Sequence, residues 1–246
     1  MTALPKPQLS PGQALFARYA FPPNKLGYCG PSDPDVLLRA DNPTEVAAHA
    51  REFDGAWPYL RSIAGAVGTA DPLEVDVVRS YWVGGPLLNR VDPAALLGQL
   101  RTAFTGQVTG LLAELTRPAG VLAHHSFHVF VVYPWVRFLD RDPITALRVL
   151  QNCRIRLGTV QSVEDEHVEM LSRHLTYYSG ALALGEPIAE RVRWSMDGVS
   201  LIGAPASGDT VSAHWDWVCD TLTDAESAAL TDATEMTLDL VNAAPR

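Results

Sequence analysis

Near Cys153 the hydrophobic period of the chain changes, and this change limits the possible folds more than any other feature. Before it, apolar residues recur at helical spacing, as in Val46, Ala50, Phe53, Trp57 and Leu60. After it, Ile155, Leu157 and Val160 alternate with Arg154, Arg156 and Thr159, and Val192, Trp194 and Met196 alternate with Arg191, Arg193 and Ser195. A helix buries a stripe of period 3.6 and a strand a face of period 2, so no single element type satisfies both halves. The sequence therefore predicts an α+β chain. A mainly helical domain occupies residues 1–150, and a small β-barrel with a C-terminal helix occupies 151–246.

Punctuation along the chain refines this. Ser10-Pro11, Thr44-Glu45, Asp71-Pro72, Asp92-Pro93 and Asp142-Pro143 each read as a helix start, the last helix ending near Cys153. A turn-rich stretch from Pro22 to Pro31 interrupts the first of them. The dense apolar run from Val121 to Leu139 reads as a buried helix or as a strand, because periodicity does not separate the two. In the second half, Glu164-Asp165-Glu166, Asp197-Gly198 and Ser207-Gly208-Asp209 read as turns, with one strand expected from Thr210 to Trp217. Thr223 and Glu226 form a capping-box pattern ahead of a helix striped with Leu230, Ala233, Met236 and Leu240.

Composition excludes several function classes. A net charge of −9 argues against nucleic-acid binding, which requires clustered Lys and Arg to neutralise phosphates. No apolar run approaches the roughly 20 residues that span a bilayer, so membrane insertion is not expected. The N-terminal residues, Met1 to Pro7, lack the apolar segment of a secretory signal. Three widely spaced cysteines, Cys29, Cys153 and Cys219, fit free thiols in a reducing cytoplasm.

The most unusual run is His124-His125-Ser126-Phe127-His128. On a helix His124 and His128 share a face at a spacing that supplies two metal ligands; on a strand His124, Ser126 and His128 share one. Glu52, Asp54 or His49 could add a third ligand if the fold brings them near. Such a site, centred on His124, His125 and His128, would make the chain a metalloenzyme that makes a diatomic ligand or consumes oxygen. The thiol of Cys29 lies between Gly27-Tyr28 and Gly30, where backbone can approach a ligand closely, which makes Cys29 a candidate reactive or metal-binding residue; the alternative is a tight turn with an incidental thiol. Cys219 reads as packing.

The order of elements in the second half carries a resemblance. Cys153-Arg-Ile-Arg-Leu-Gly158-Thr-Val160 is followed by strands, then by Gly208-Asp209-Thr-Val211-Ser-Ala-His214, then by an acidic, alanine-rich helix from Asp224. This resembles the small nickel–iron hydrogenase maturation chaperones of the HypC/HupF type. The resemblance implies an OB-like barrel and a maturation factor that does not turn over. It also implies an iron cargo bearing cyanide and carbon monoxide, and a hydrogenase large subunit or a maturase as partner. It maps the family's functional cysteine and histidine onto Cys153 and His214. A thiolate and an imidazole suit low-spin iron with strong-field ligands. Strand parity would then put Val211, Ala213, Trp215 and Trp217 in the core and turn His214 toward solvent or a partner, with Trp215 and Trp217 as candidate docking residues. The first half resembles an uncharacterised bacterial family with Tyr19-Ala-Phe-Pro-Pro-Asn24, Gly27-Tyr-Cys-Gly-Pro31, Tyr81-Trp82-Val-Gly84 and the histidine run, often encoded near hydrogenase genes. A plain adaptor without metal is the third reading.

Overall fold

The computed structural model describes residues 8–244, so the expectation about Met1 to Pro7 lies outside the described residues. Helix α1 (Pro11–Lys25) opens on Ser10, whose side chain accepts from Gln13 N while Gln13 reaches back, a complete capping box. It is followed by α2 (Pro43–Arg51), α3 (Trp57–Val67), α4 (Val75–Trp82) and α5 (Pro93–Ala103). Asn42 and Asp92 cap α2 and α5. Asp71-Pro72 does not open α4: Glu74 caps it, accepting from Asp76 N and Val77 N.

The run from Val121 to Leu139 is neither one helix nor one strand. A single turn, α6 (His125–Phe127), passes into a π-helical turn at His128–Val132 and then a 3₁₀ turn at Pro134–Phe138. The wide turn is closed by Tyr133 N–H donating to His128 O at 2.7 Å. Such turns displace side chains from a regular helical face, and here one begins at His128, the last histidine of the run. Helix α7 (Pro143–Cys153) follows from its Asp142 cap. Cys153 is thus the last residue of a helix and not the first of a strand.

Strands β1 (Arg156–Val163), β2 (His167–Tyr178) and β3 (Ala181–Arg193) form an antiparallel meander. A small hairpin of β4 (Ser195–Met196) and β5 (Val199–Ser200) turns on Asp197-Gly198. The expected strand from Thr210 to Trp217 is two strands, β6 (Thr210–His214) and β7 (Trp217–Thr221), reversing at Trp215-Asp216 with Trp215 at φ 53°. β6 pairs with β1 and β7 meets β3, so the five long strands close in the order β1-β2-β3-β7-β6. Val160, Val168, Met170, Val192, Val211, Ala213 and Val218 fill the interior.

A larger apolar core runs across Cys153, joining Phe16, Tyr19, Tyr81 and Phe130 of the first part to Ile155, Trp217, Leu222 and Leu238 of the second. The C-terminal helix α8 (Asp224–Ala243) lies in this seam. On its striped face Leu230 and Ala233 are buried as expected, but Met236 is half exposed and Thr237 takes its place in the core. Thr223 and Glu226 close both halves of the capping box. Thr223→Ala should cost about 1 kcal/mol of unfolding free energy, read from the urea midpoint at unchanged m-value.

Candidate metal centre

The histidine run enters the seam as an extended segment. His124 precedes α6 with its backbone extended, and its Nδ1 accepts the Ser126 N–H at 3.0 Å. That lone pair is committed to capping the turn. Ser126 Oγ in turn reaches Ala233 O and Thr237 Oγ1 on α8, fixing the run against the C-terminal helix. His124 and His128 therefore do not act as a pair on one helical face. The residue between them, His125, projects toward the closed sheet.

There it meets Cys153 and His214. One ligand atom from each of the three residues lies within 4.8 Å of the other two. The convergence has a covalent and a hydrogen-bonded basis. Cys153 ends α7, and the preceding Asn152 carbonyl accepts the Trp215 N–H at 2.9 Å, so the helix end is tied to the turn that follows His214. Arg156, 2% exposed, reinforces the tie: its guanidinium donates to the carbonyls of Gln151, Asn152 and Trp215 and pairs with Glu190 at 3.1 Å.

His214 is 1% exposed. The expectation that it faces solvent is corrected, and the reason is instructive. Its side chain does leave the barrel interior, but α1 covers that side, and the imidazole is packed against the chain's own helices. Trp215 and Trp217 are likewise buried, at 7% and 3%, and are not an exposed docking surface. The turn after His214 puts Trp217 opposite it and on its face, edge-on to Phe21, while Trp215 lies against Tyr28.

Ring nitrogens reveal what the pocket can hold. His214 Nδ1 lies 2.7 Å from Tyr19 O, which only accepts, so the ring proton sits on Nδ1 and Nε2 keeps its lone pair. Nε2 is buried and without a hydrogen-bond partner. An imidazole donating to a backbone carbonyl through one nitrogen while presenting the other is the usual arrangement of a metal ligand. His125 is bracketed similarly, with Nε2 2.9 Å from Cys153 O and Nδ1 3.1 Å from Tyr81 Oη. The Cys153 carbonyl only accepts, so the ring proton sits on Nε2 and the lone pair is on Nδ1. Tyr81 Oη itself donates to Gly55 O at 2.9 Å.

Burial pushes all four imidazoles toward the neutral form. It takes His125 down to about 4 and His124 and His128 to about 3, the neighbouring His125 adding to the last two, and it takes His214 well below the ordinary value. Neutral rings keep their lone pairs for an ion at neutral pH. The same burial raises the Cys153 thiol, with a smaller push from Cys29, so this sulfur is a protonated thiol until a cation arrives.

These donors line a cavity of about 40 Å³ walled by Phe53, Tyr81 and Trp82, with Trp82 4.6 Å from the His125 ring and 5.6 Å from that of His214. Such a volume accepts an ion with one or two small ligands and excludes an organic cofactor. One thiol and two imidazoles form a borderline-soft set suited to iron, cobalt, copper or zinc and unsuited to magnesium or calcium. His128 reaches the cavity from the side without joining the three donors, and its Nδ1 is also buried without a partner. Cys29, exposed on the loop after α1, lines the mouth. Asn24 holds that loop by donating to Cys29 O and Pro31 O. Cys219 is fully buried in the core. Of the acidic and histidine residues considered beside the run, His49 bonds Asn24, and Glu52 and Asp54 stand outside the cavity.

Sequence reasoning named His125 but assigned it to another site. It passed over Tyr81, Trp82, Gly55 and Arg156 as parts of this one. The available signal was the set of runs shared by the first half: each of the four contributes a residue to the cavity wall, through Pro23, Cys29, Tyr81 and His125.

Comparison with protein families places residues 8–246 in DUF6390, described as a family of unknown function, and the chain belongs to it. No curated protein and no solved structure matches the chain.

Proposed function

We propose that this member of the DUF6390 family is a cytoplasmic assembly factor for nickel–iron hydrogenases, holding an iron fragment at His125, Cys153 and His214 and passing it to the large subunit or a maturase. The observation that carries the reading is the meeting of Cys153 and His214. The resemblance to HypC/HupF-type chaperones singles out these two residues, and they lie with His125 within 4.8 Å. The closed five-stranded sheet with its C-terminal helix is compatible with the OB-like barrel of those chaperones. The small apolar cavity suits iron bearing diatomic ligands, which need room and low polarity but few hydrogen bonds. His125 gives the helical half a task, as a third donor beside the pair.

The rival metalloenzyme centred on His124, His125 and His128 is less well supported, because His124 Nδ1 is occupied by the Ser126 N–H. Under the favoured reading the chain binds and releases its cargo without turning over a substrate.

Anaerobic titration with Fe(II) should load one ion per chain. Cys153→Ala and His214→Ala should each weaken loading by about 100-fold or more while leaving the far-ultraviolet dichroism unchanged, since loss of an outer partner alone costs 10–100-fold. His124→Gln should load normally; a loss there instead of at Cys153 would favour the metalloenzyme. A strain carrying only Cys153→Ala should lack hydrogenase activity. Full activity in that strain would overturn the assembly reading, and a metal-free protein that sustains full activity would support an adaptor.

A further inference from the structure

We infer that the outer cleft beside the metal centre is its loading port, through which a soft cation passes from solvent between Gly55 and His128 to reach His125, Cys153 and His214. The inference rests on the metal reading above. The cleft has a volume of about 390 Å³, roughly ten times that of the inner cavity, and Cys29, Gly55, His128 and Tyr133 line both spaces. They are therefore neighbours across a shared wall, and that wall contains the throat.

Three features suit the cleft to a cation. Glu52 and Asp54 stand exposed at its rim, and neither joins an ion pair among the described residues. Exposed carboxylates attract divalent ions and exchange them quickly, which is what a rim requires and a storage site does not. Cys29 lines both spaces, so its thiol stands between the carboxylate rim and the buried donors. At the far end the lone pair of His214 Nε2, buried and unpartnered, marks where a ligand is wanted.

Gly55 sets the width of the throat. Its backbone does not adopt the positive φ that favours glycine, so conformation does not explain the residue. Space does: a Cβ here would sit 2.8 Å from His128 Nε2 and 3.1 Å from Cε1. The His128 ring cannot retreat freely, because the rings of Tyr59, Phe104 and Tyr133 surround it at 5.6–6.0 Å. An added methyl group would therefore fill the space between Gly55 and His128, where the two already pack together.

The test is stopped-flow uptake of Co(II), supplied as the chloride without oxygen and followed by the thiolate-to-cobalt absorption that forms at Cys153. Gly55→Ala should slow uptake by about 10-fold or more at little-changed equilibrium affinity, and Gly55→Ala with His128→Ala should restore the rate. Glu52→Gln with Asp54→Asn should slow uptake about 3- to 10-fold at low ionic strength and flatten its salt dependence, the behaviour of electrostatic steering. These two substitutions are on the surface, so they remain informative should the Gly55 variant fold poorly. Unchanged rates in all variants, with normal Co(II) uptake by the native chain, would overturn the port and leave the metal centre standing. No uptake by the native chain would overturn the centre and the port together.

Discussion

Arg156→Met should destabilise the protein by about 3–5 kcal/mol, the cost of removing one member of a buried ion pair. The side chain is 2% exposed and serves four acceptors: Glu190, which also accepts from Ser172, and the carbonyls of Gln151, Asn152 and Trp215. Burial raises the Glu190 carboxyl, yet the Arg156 charge, with the Ser172 and Arg156 hydrogen bonds, outweighs it and holds the group below its ordinary value. Without the guanidinium, an ionised carboxylate would remain largely enclosed, with His174 3.6 Å away but itself pushed toward the neutral form by burial. Urea unfolding measures the loss. Arg156→Met combined with Glu190→Leu should recover part of it, because two apolar groups leave no orphaned charge. A single variant within 1 kcal/mol of the native chain would show that the pair is not the clamp described. The same substitution should weaken metal loading about 10- to 100-fold, since the guanidinium ties the end of α7 to the turn beyond His214.

That clamp also explains what sequence reading could and could not reach. The change of period at Cys153 located the join between helices and strands, and Ser10, Asp92, Asp142 and Thr223 marked four helix starts, because caps and amphipathic stripes are local physics. His214 was correctly turned out of the barrel by parity, but parity has no knowledge of α1 lying over that face. Arg156 read as the polar phase of a strand. Its burial depends on carbonyls four and five residues back and fifty-nine ahead, which no local pattern encodes. The histidine run misled for a similar reason. Its spacing suits a helix or a strand, but His124 stands ahead of α6 with extended backbone and spends Nδ1 on capping the turn, so His124 and His128 do not form a pair on one face. The four runs of the first half were visible as sequence yet carried no role until the fold gathered them around one cavity.

The metal-free protein should unfold on mild acidification, with a midpoint near pH 5 at 25 °C. His124, His125, His128 and His214 are all held neutral by burial, so their native values lie below the unfolded value of about 6.5. Between about pH 6.5 and 4 the unfolded chain binds protons that the native chain does not, so stability is present above this window and is lost as pH falls through it. At pH 5 each histidine contributes a loss of about 2 kcal/mol, and four together on the order of 8 kcal/mol, comparable with the whole stability of a typical domain. Urea unfolding in chelator at several pH values reads the slope, expected near 5 kcal/mol per pH unit between 5 and 6 for four protons. His128→Gln should reduce that slope by about a quarter. A chain that keeps its native dichroism at pH 4 would contradict the neutral cluster. The same neutrality fixes the proton count of metal uptake at pH 7. The imidazoles have no proton to give up, whereas the Cys153 thiol has one, so weakly buffered titration with Co(II) should release one proton per ion. Release of two would mean that one of the imidazoles enters the site already charged, and release of none that the sulfur is not a ligand.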